Sequence, residues 1–346
     1  MTQPLRVGVV GCGIIAARYV ADAPAFHGWK PVACTDLDVE ARDALADAHG
    51  LRALTFDELL ADDGIDLVLN LTPPRVHAAI VGAALAAGKH VYTEKPLGAT
   101  SAEGRLLVEQ ANAAGLRLGC APDTFLGSAY QTGLRLLEQG AIGTPLGANA
   151  TMLVGGPDSW HPNADMFYRA GGGPLLDIAP YYLTAIVALL GRVHAVSGFG
   201  VTPTPVRTLG AGPRTGETVA VEVPTHAAAV LSLDSGALAT ITVSFEANGQ
   251  YVSGLVVYGS EGSLVLPDAN AFGGEVLLRR GREEERITYA GRGAQETRGL
   301  GIEDLAAALA EGREHRASAE LALHVLEVAE AAAVPAQALT VNGATP

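Results

Sequence analysis

Hydrophobic and polar positions divide the chain into two regimes. Up to about Pro122, continuous apolar runs alternate with segments of helical period. Leu5–Val10, Val32–Thr35, Ile65–Leu71, His90–Thr93 and Leu116–Cys120 read as buried parallel strands, because strands covered on both faces lose the apolar–polar alternation of half-exposed ones. The helices between them carry end signals. Asp38 caps one that Gly50 ends, Thr55 and Glu58 form a capping box, and Ser101 caps one that Gly115 ends. Alternating strands and helices predict a doubly wound parallel sheet.

Past Pro122 the pattern changes. A helix over Ser128–Gln139 precedes a strand at Ala148–Val154, a loop from Gly155 to Gly173, and a helix over Leu176–Leu190. From Val193 onward period-two strands dominate. The clearest hairpin is His226–Leu233, Asp234-Ser235-Gly236 and Ala237–Phe245. Further strands are expected at Ser253–Tyr258, Gly262–Leu266, Glu275–Arg280 and Glu284–Tyr289, and Thr202–Glu217 reads as one long loop. Two late helices, Ile302–Ala310 and Ser318–Ala333, have no place fixed by the pattern; packing back on the first domain is one option. The fold class is therefore α/β. A Rossmann domain (1–122) is followed by an α+β domain (123–346) with an open, mainly antiparallel sheet. Alternation along that sheet is expected to expose Val230, Leu238 and Ile241, the kind of patch that marks an interface and predicts a homo-oligomer.

The first strand breaks at Gly11-Cys12-Gly13-Ile14-Ile15-Ala16. Gly11 permits the tight turn, Gly13 lets backbone approach a pyrophosphate, and Ala16 lets the helix pack on the strand. The amides of Gly13, Ile14 and Ile15 open that helix and offer unpaired N–H groups to an anion. Asp36 ends the second strand, where a carboxylate reaches the ribose hydroxyls of a dinucleotide. Leu37 follows it, so no adjacent arginine can neutralise a 2′-phosphate, and NAD is expected over NADP.

Composition removes other classes. Formal net charge is −14, against the basic surface that nucleic acid requires. No apolar run is long enough to span a bilayer. Cys12, Cys34 and Cys120 form no metal-ligand spacing and are expected to be buried thiols in a reducing cytoplasm. No His, Asp and Glu cluster suggests a metal.

Glu94-Lys95-Pro96, Thr72-Pro73 with His77, Ala86-Ala87-Gly88-Lys89-His90-Val91, Gly140-Ala141-Ile142-Gly143 and Gly171-Gly172-Gly173-Pro174-Leu175-Leu176-Asp177 form a linked set. With the glycine turn, this set resembles the Gfo/Idh/MocA (glucose–fructose oxidoreductase / inositol dehydrogenase) family along nearly the whole chain. The resemblance implies a Rossmann domain plus an open-sheet domain. It implies reversible oxidation of a secondary alcohol on a sugar, polyol or cyclitol by NAD(P), and pairing into dimers or tetramers through the open sheet. Thr72, Pro73, Glu94 and Lys95 are then expected on the cofactor side, and His77 is read as a cofactor-side or helix-terminus histidine rather than a base. In many members a histidine lies four residues after the aspartate of the glycine segment; here Tyr181 stands there, followed by Tyr182. Members often carry consecutive arginines after the sixth strand, where this chain reads Ala121-Pro122-Asp123-Thr124.

Oxidising a carbinol requires a group that accepts the hydroxyl proton. Lys95, at a strand's C-terminal end, is placed for that. A positive nicotinamide beside it would make its ammonium release a proton more readily. Glu94 is expected to orient the cofactor or Lys95. Asp177 reads as a helix N-cap and, on the resemblance, as an acceptor for a substrate hydroxyl. Tyr181, one helical turn on, either relays the proton or packs as an apolar ring. Asp123 is expected at a cleft mouth in contact with substrate, with a turn-forming Asp as the alternative. Trp160, His161 and Tyr182 complete the substrate set, with an exposed loop pair as the alternative for Trp160 and His161. Two other activities fit the same sequence: an NAD-dependent glycosidase using transient oxidation, and a catalytically silent dinucleotide sensor.

Overall fold

The computed structural model describes residues 3–249, 251–287 and 297–333. The first half alternates strand and helix. Its elements are β1 (Leu5–Val10), α1 (Ile14–Asp22), β2 (Trp29–Thr35), α2 (Val39–His49), β3 (Arg52–Ala53), α3 (Phe56–Ala61), β4 (Leu67–Asn70), α4 (His77–Ala86), β5 (His90–Thr93), α5 (Ser101–Ala114) and β6 (Leu118–Cys120). These strands pair in parallel in the order β3-β2-β1-β4-β5-β6, the doubly wound arrangement that the pattern predicts. Caps appear where the side chains require them. Asp38 accepts from the amides of Glu40 and Ala41, and Thr55 and Glu58 form the capping box. The expected cap Ser101 lies inside its helix, and Thr100 does the capping instead.

The chain continues with α6 (Ser128–Glu138), β7 (Pro145–Leu153), α7 (Pro174–Asp177), α8 (Ala179–Leu190), β8 (Val193–Val201), β9 (Val206–Thr208) and β10 (Thr218–Ala220). After these come β11 (His226–Leu233), β12 (Leu238–Ser244), β13 (Val252–Gly259), β14 (Ser263–Leu266), β15 (Val276–Arg280), β16 (Glu283–Ile287), α9 (Leu300–Glu311) and α10 (Ala319–Ala333). A second sheet runs β16-β15-β14-β13-β7-β12-β11-β8 and is antiparallel except between β7 and β12. Three expectations need correction. The single helix over Leu176–Leu190 is two, α7 and α8, broken at Ile178: Pro180 has no N–H to continue the ladder. The stretch Thr202–Glu217 is not all loop, because β9 pairs with β10. Ile241 is 2% exposed; it shares the inward face with Ala239 and Val243, opposite the outward Leu238. The expected strand at Glu284–Tyr289 is described only to Ile287.

Two compact units are present. One comprises the residues up to Arg135, Ala269–Val276 and the residues from Arg286 to Leu326; the expected boundary at Pro122 falls inside it. Val68, Val91 and Leu118 from its strands pack with Val81, Leu85, Leu107 and Leu323 from its helices. The other unit comprises Leu136–Asp268, Leu277–Glu285 and the residues from Glu327. Its sheet turns Ala148, Ala150, Ala229, Ala239 and Ile241 inward. These small side chains make room for α8, whose Tyr182 hydroxyl lies 3.6 Å from Met152 Sδ.

Candidate active site

In the first unit, every parallel strand presents its C-terminal end to the same edge, the place where such sheets bind ligands. Gly11 has φ +95°, and a Cβ there would sit 2.9 Å from the Leu71 backbone. Only glycine fits. Gly13 has open space where a Cβ would point, and Ala16 is fully buried against the strand. No side chain caps α1, and no acid lies in its first turn, so its leading amides suit a phosphate. Asp36 Oδ2 accepts from the Cys12 amide at 2.6 Å and Oδ1 from the Asp38 amide at 2.9 Å. The carboxylate at the end of β2 is thus tied to the glycine turn at the end of β1.

The ends of β4 and β5 are joined by a polar ladder. Thr72 donates its hydroxyl to Asn70 Oδ1 (2.6 Å), and Asn70 Nδ2 donates to Thr93 Oγ1 (3.0 Å). His77 is fully buried, with Nδ1 2.7 Å from the Pro96 carbonyl and Nε2 2.7 Å from the Thr72 carbonyl. It opens α4, the helix-terminus place that was the alternative to a cofactor-side one. Both ring nitrogens face backbone carbonyls, and the ring braces the turn after β4 against the Lys95-Pro96 segment.

Glu94 folds back on its own chain. Oε2 accepts from the Lys95 amide at 3.2 Å, Oε1 accepts from the Tyr19 hydroxyl at 3.1 Å, and Arg298 Nη1 lies 3.8 Å from Oε1. Pattern reading singled out neither Tyr19 nor Arg298. Tyr19 carries a signal, since it shares the buried face of α1 with Ala16 and Val20. Arg298 carries none.

Asp123 is not at a cleft mouth. It is fully buried, and Oδ2 accepts from the amides of Gly299 (3.1 Å) and Gly301 (2.9 Å). Burial pushes its carboxyl up to about 6, against those two amides and Arg298, which favour the charged form. Its role is to hold the start of α9, which removes it from the substrate set.

In the second unit, Asp177 ends α7 rather than opening a helix, and Tyr181 lies in the first turn of α8, 8% exposed. Tyr182 is fully buried and donates to Asp268 Oδ1 at 2.8 Å, so it is a core residue and not a substrate contact. Trp160 is 66% exposed and meets His161 edge-on at 5.4 Å; His161 meets Phe167 edge-on at 5.1 Å. A buried arginine that pattern reading missed, Arg207, anchors the loop that carries them. It lies 2.6 Å from Glu246 Oε1, 3.7 Å from Asp158 Oδ1, and over the Tyr168 ring. Tyr168 in turn donates to Asp158.

Among the described residues, no group of His, Cys, Asp and Glu is arranged to hold a metal, and no helix is long and apolar enough to cross a membrane.

Residues 5–121 match "Oxidoreductase family, NAD-binding Rossmann fold", and residues 130–265 match "GFO/IDH/MocA C-terminal domain". The chain is 32% identical over 339 residues to a dTDP-3,4-didehydro-2,6-dideoxy-alpha-D-glucose 3-reductase of Streptomyces violaceoruber, covering 89% of this chain and 92% of that protein. It is 28% identical to the levoglucosan dehydrogenase of Pseudarthrobacter phenanthrenivorans over 76% of this chain and 74% of that protein. A solved levoglucosan dehydrogenase in complex with NADH and L-sorbose superposes with a TM-score of 0.80 at 25% identity, covering 94% of this chain and 95% of that one. The glycine turn tied to Asp36, the braced Glu94-Lys95-Pro96 segment and these two domain matches place the chain in the Gfo/Idh/MocA family of NAD-binding oxidoreductases.

Proposed function

We propose that this protein moves a hydride between NAD and a secondary alcohol or ketone carbon of a sugar, polyol or cyclitol. The observation that carries the reading is Lys95. It follows β5 at the ligand-binding edge of the parallel sheet, and its backbone is pinned by the Glu94 carboxylate. The bound dinucleotide supplies the hydride acceptor or donor. The chain's own residues manage the proton and the substrate. Lys95 Nζ takes the hydroxyl proton in oxidation and returns it in reduction. Gly11, Gly13 and the leading amides of α1 bind the pyrophosphate, Asp36 accepts from the ribose hydroxyls, and Thr72 and Pro73 border the nicotinamide side. Asp177 accepts from a substrate hydroxyl and Tyr181 serves as a second proton-handling group. Trp160 and His161 offer an indole face and an imidazole to a sugar's apolar face and hydroxyls. Relatives that act on sugar derivatives support the substrate class. The same reading includes assembly of copies through the open sheet.

The test is a panel of sugars, inositols, anhydrosugars and dTDP-linked deoxysugars, with their keto forms, assayed for NADH formation or consumption at mildly alkaline pH. Stoichiometric change with one class is expected, together with its loss in Lys95→Met. Tight NAD binding with no turnover across the panel would overturn the reading.

A further inference from the structure

Arg298 lies about two hundred residues beyond Glu94 in sequence, yet both belong to the first unit and their charged groups are 3.8 Å apart. The Arg298 side chain is 20% exposed and that of Glu94 12%, so solvent screens the pair far less than a surface bridge. The guanidinium arrives on the short Arg298-Gly299-Leu300-Gly301 segment, and that segment is bolted down. Asp123, itself fully buried, accepts from the amides on both sides of Leu300. A Cβ on Gly301 would lie 2.1 Å from the Tyr92 hydroxyl, so only glycine allows so close an approach to β5. One guanidinium is thereby brought to the carboxylate that also accepts from Tyr19 and from the Lys95 amide.

We propose that Arg298, held in place by Asp123, is a positioning residue for the Glu94–Lys95 turn and sets the environment of the Lys95 ammonium. The inference rests on the reading of Lys95 as the proton-handling group. The logic is electrostatic and geometric. A carboxylate that accepts from a phenol and an amide and lies against a guanidinium is restrained in its orientation. Released from the guanidinium, it can turn toward its sequence neighbour, Lys95. A carboxylate paired with that lysine would hold the ammonium charged and displace it. The titratable groups that interact with Glu94 include Tyr19 from α1, Tyr92 from β5, Cys120 from β6, Asp123 beyond it and Arg298, with the Lys95 backbone amide donating to it. Burial pushes the Tyr19, Tyr92 and Cys120 groups further above their ordinary values, so they stay protonated. Arg298 is the cation placed against this carboxylate.

The chain contains three lysines, Lys30, Lys89 and Lys95, which makes the test direct. Competitive trace acetylation of the full-length protein with acetic anhydride across pH, read by peptide mass spectrometry, reports the reactivity of each amine without any substrate. Exposed Lys30 and buried Lys89, which donates to the carbonyls of Asp62 and Ile65, are internal controls for global structure. Arg298→Met is expected to move the Lys95 titration to higher pH by about one pH unit, which lowers its labelling at neutral pH by about tenfold. Lys30 and Lys89 should be unchanged, and Arg298→Lys should restore most of the wild-type profile. Should Arg298→Met not fold, Tyr19→Phe removes a second restraint on the same carboxylate and leaves a buried ring in place; its Lys95 profile should move the same way, by less. A Lys95 profile that superposes on wild type in the folded variant overturns the positioning role. That outcome is separable from failure of the catalytic reading, which shows as normal turnover in Lys95→Met.

Discussion

The Asp36 carboxylate accepts a hydrogen bond from the Cys12 amide at 2.6 Å, so the acid proposed for the ribose is tied to the turn proposed for the phosphates. Asp36 is fixed before any cofactor arrives, and Leu37 beside it points fully into solvent with no cation to offer. A 2′-phosphate would face an immobile negative charge. Competition titration should therefore give tighter binding of NAD than of NADP, and Asp36→Ser should narrow the gap by about tenfold or more, the scale of losing one charge-assisted hydrogen bond. Equal affinities in the wild type, or an unchanged ratio in the variant, would remove Asp36 from this role.

Asp123 makes a pH-dependent contribution whose sign can be worked out. Its folded carboxyl titrates at about 6 against an ordinary 3.8, because burial outweighs the amides and Arg298. Below pH about 4 it is protonated in both folded and unfolded chains. Between about 4 and 6 the folded chain keeps a proton that the unfolded chain releases, so this group's contribution falls as pH rises. Beyond about 6 the loss is complete, about 3 kcal/mol for a difference of that size. The stability of the wild type relative to Asp123→Asn, from urea unfolding at pH 4 and pH 7, should drop by up to that amount. A difference that stays constant with pH would mean that Asp123 titrates normally.

The open sheet predicts self-association. Phe199, Val201, Val230 and Leu238 are each about half exposed on β8, β11 and β12, whose pairing sets Ala228 opposite Phe199 and Ser232 opposite Leu238. Apolar side chains gathered on one sheet face are costly to leave in water. Light scattering at micromolar concentration should give a multiple of the 35.4 kDa chain mass. Val230→Glu with Leu238→Glu should shift it to monomer without loss of fold, since neither residue belongs to the inward face. A monomeric wild type would leave this face unexplained.

What was legible in the sequence was local. Gly11, Gly13, Ala16 and Asp36 lie within one strand–helix–strand unit, so their spacing alone carries the geometry. Asp123 looked like a strand-end acid facing a cleft. The same residue becomes a buried helix-holding acid only because α9, from far downstream, docks over it. The pairing of Arg298 with Glu94 was illegible for the same reason, since no periodicity links residues so far apart. The break at Ile178 had a visible cause in Pro180, but the apolar period of Leu176–Leu190 outweighed it. Tyr182 and Tyr181 could not be told apart from pattern, because which tyrosine faces the core depends on that break.

The final prediction separates chemistry from packing at Lys95 and Tyr181. Lys95→Met keeps the aliphatic stem and removes the amine. Turnover should fall by about two orders of magnitude or more, the usual range for a lost acid–base group, while NAD affinity changes little. Tyr181 is a harder case. At 8% exposure, in the first turn of α8 just past Pro180, its ring is held on nearly all sides. Tyr181→Phe preserves that packing and deletes one hydroxyl, so an effect on kcat with an unchanged melting temperature would isolate the chemistry. If the hydroxyl handles a proton, kcat should drop strongly and the pH profile should lose one limb. If the ring only packs, the variant should stay within about twofold of wild type in rate and keep both limbs. The first outcome is expected, because this position holds a histidine in many members of the family and a phenol is the group here that can still exchange a proton. The second would leave Lys95 as the proton-handling group, with Asp177 as its partner on the substrate.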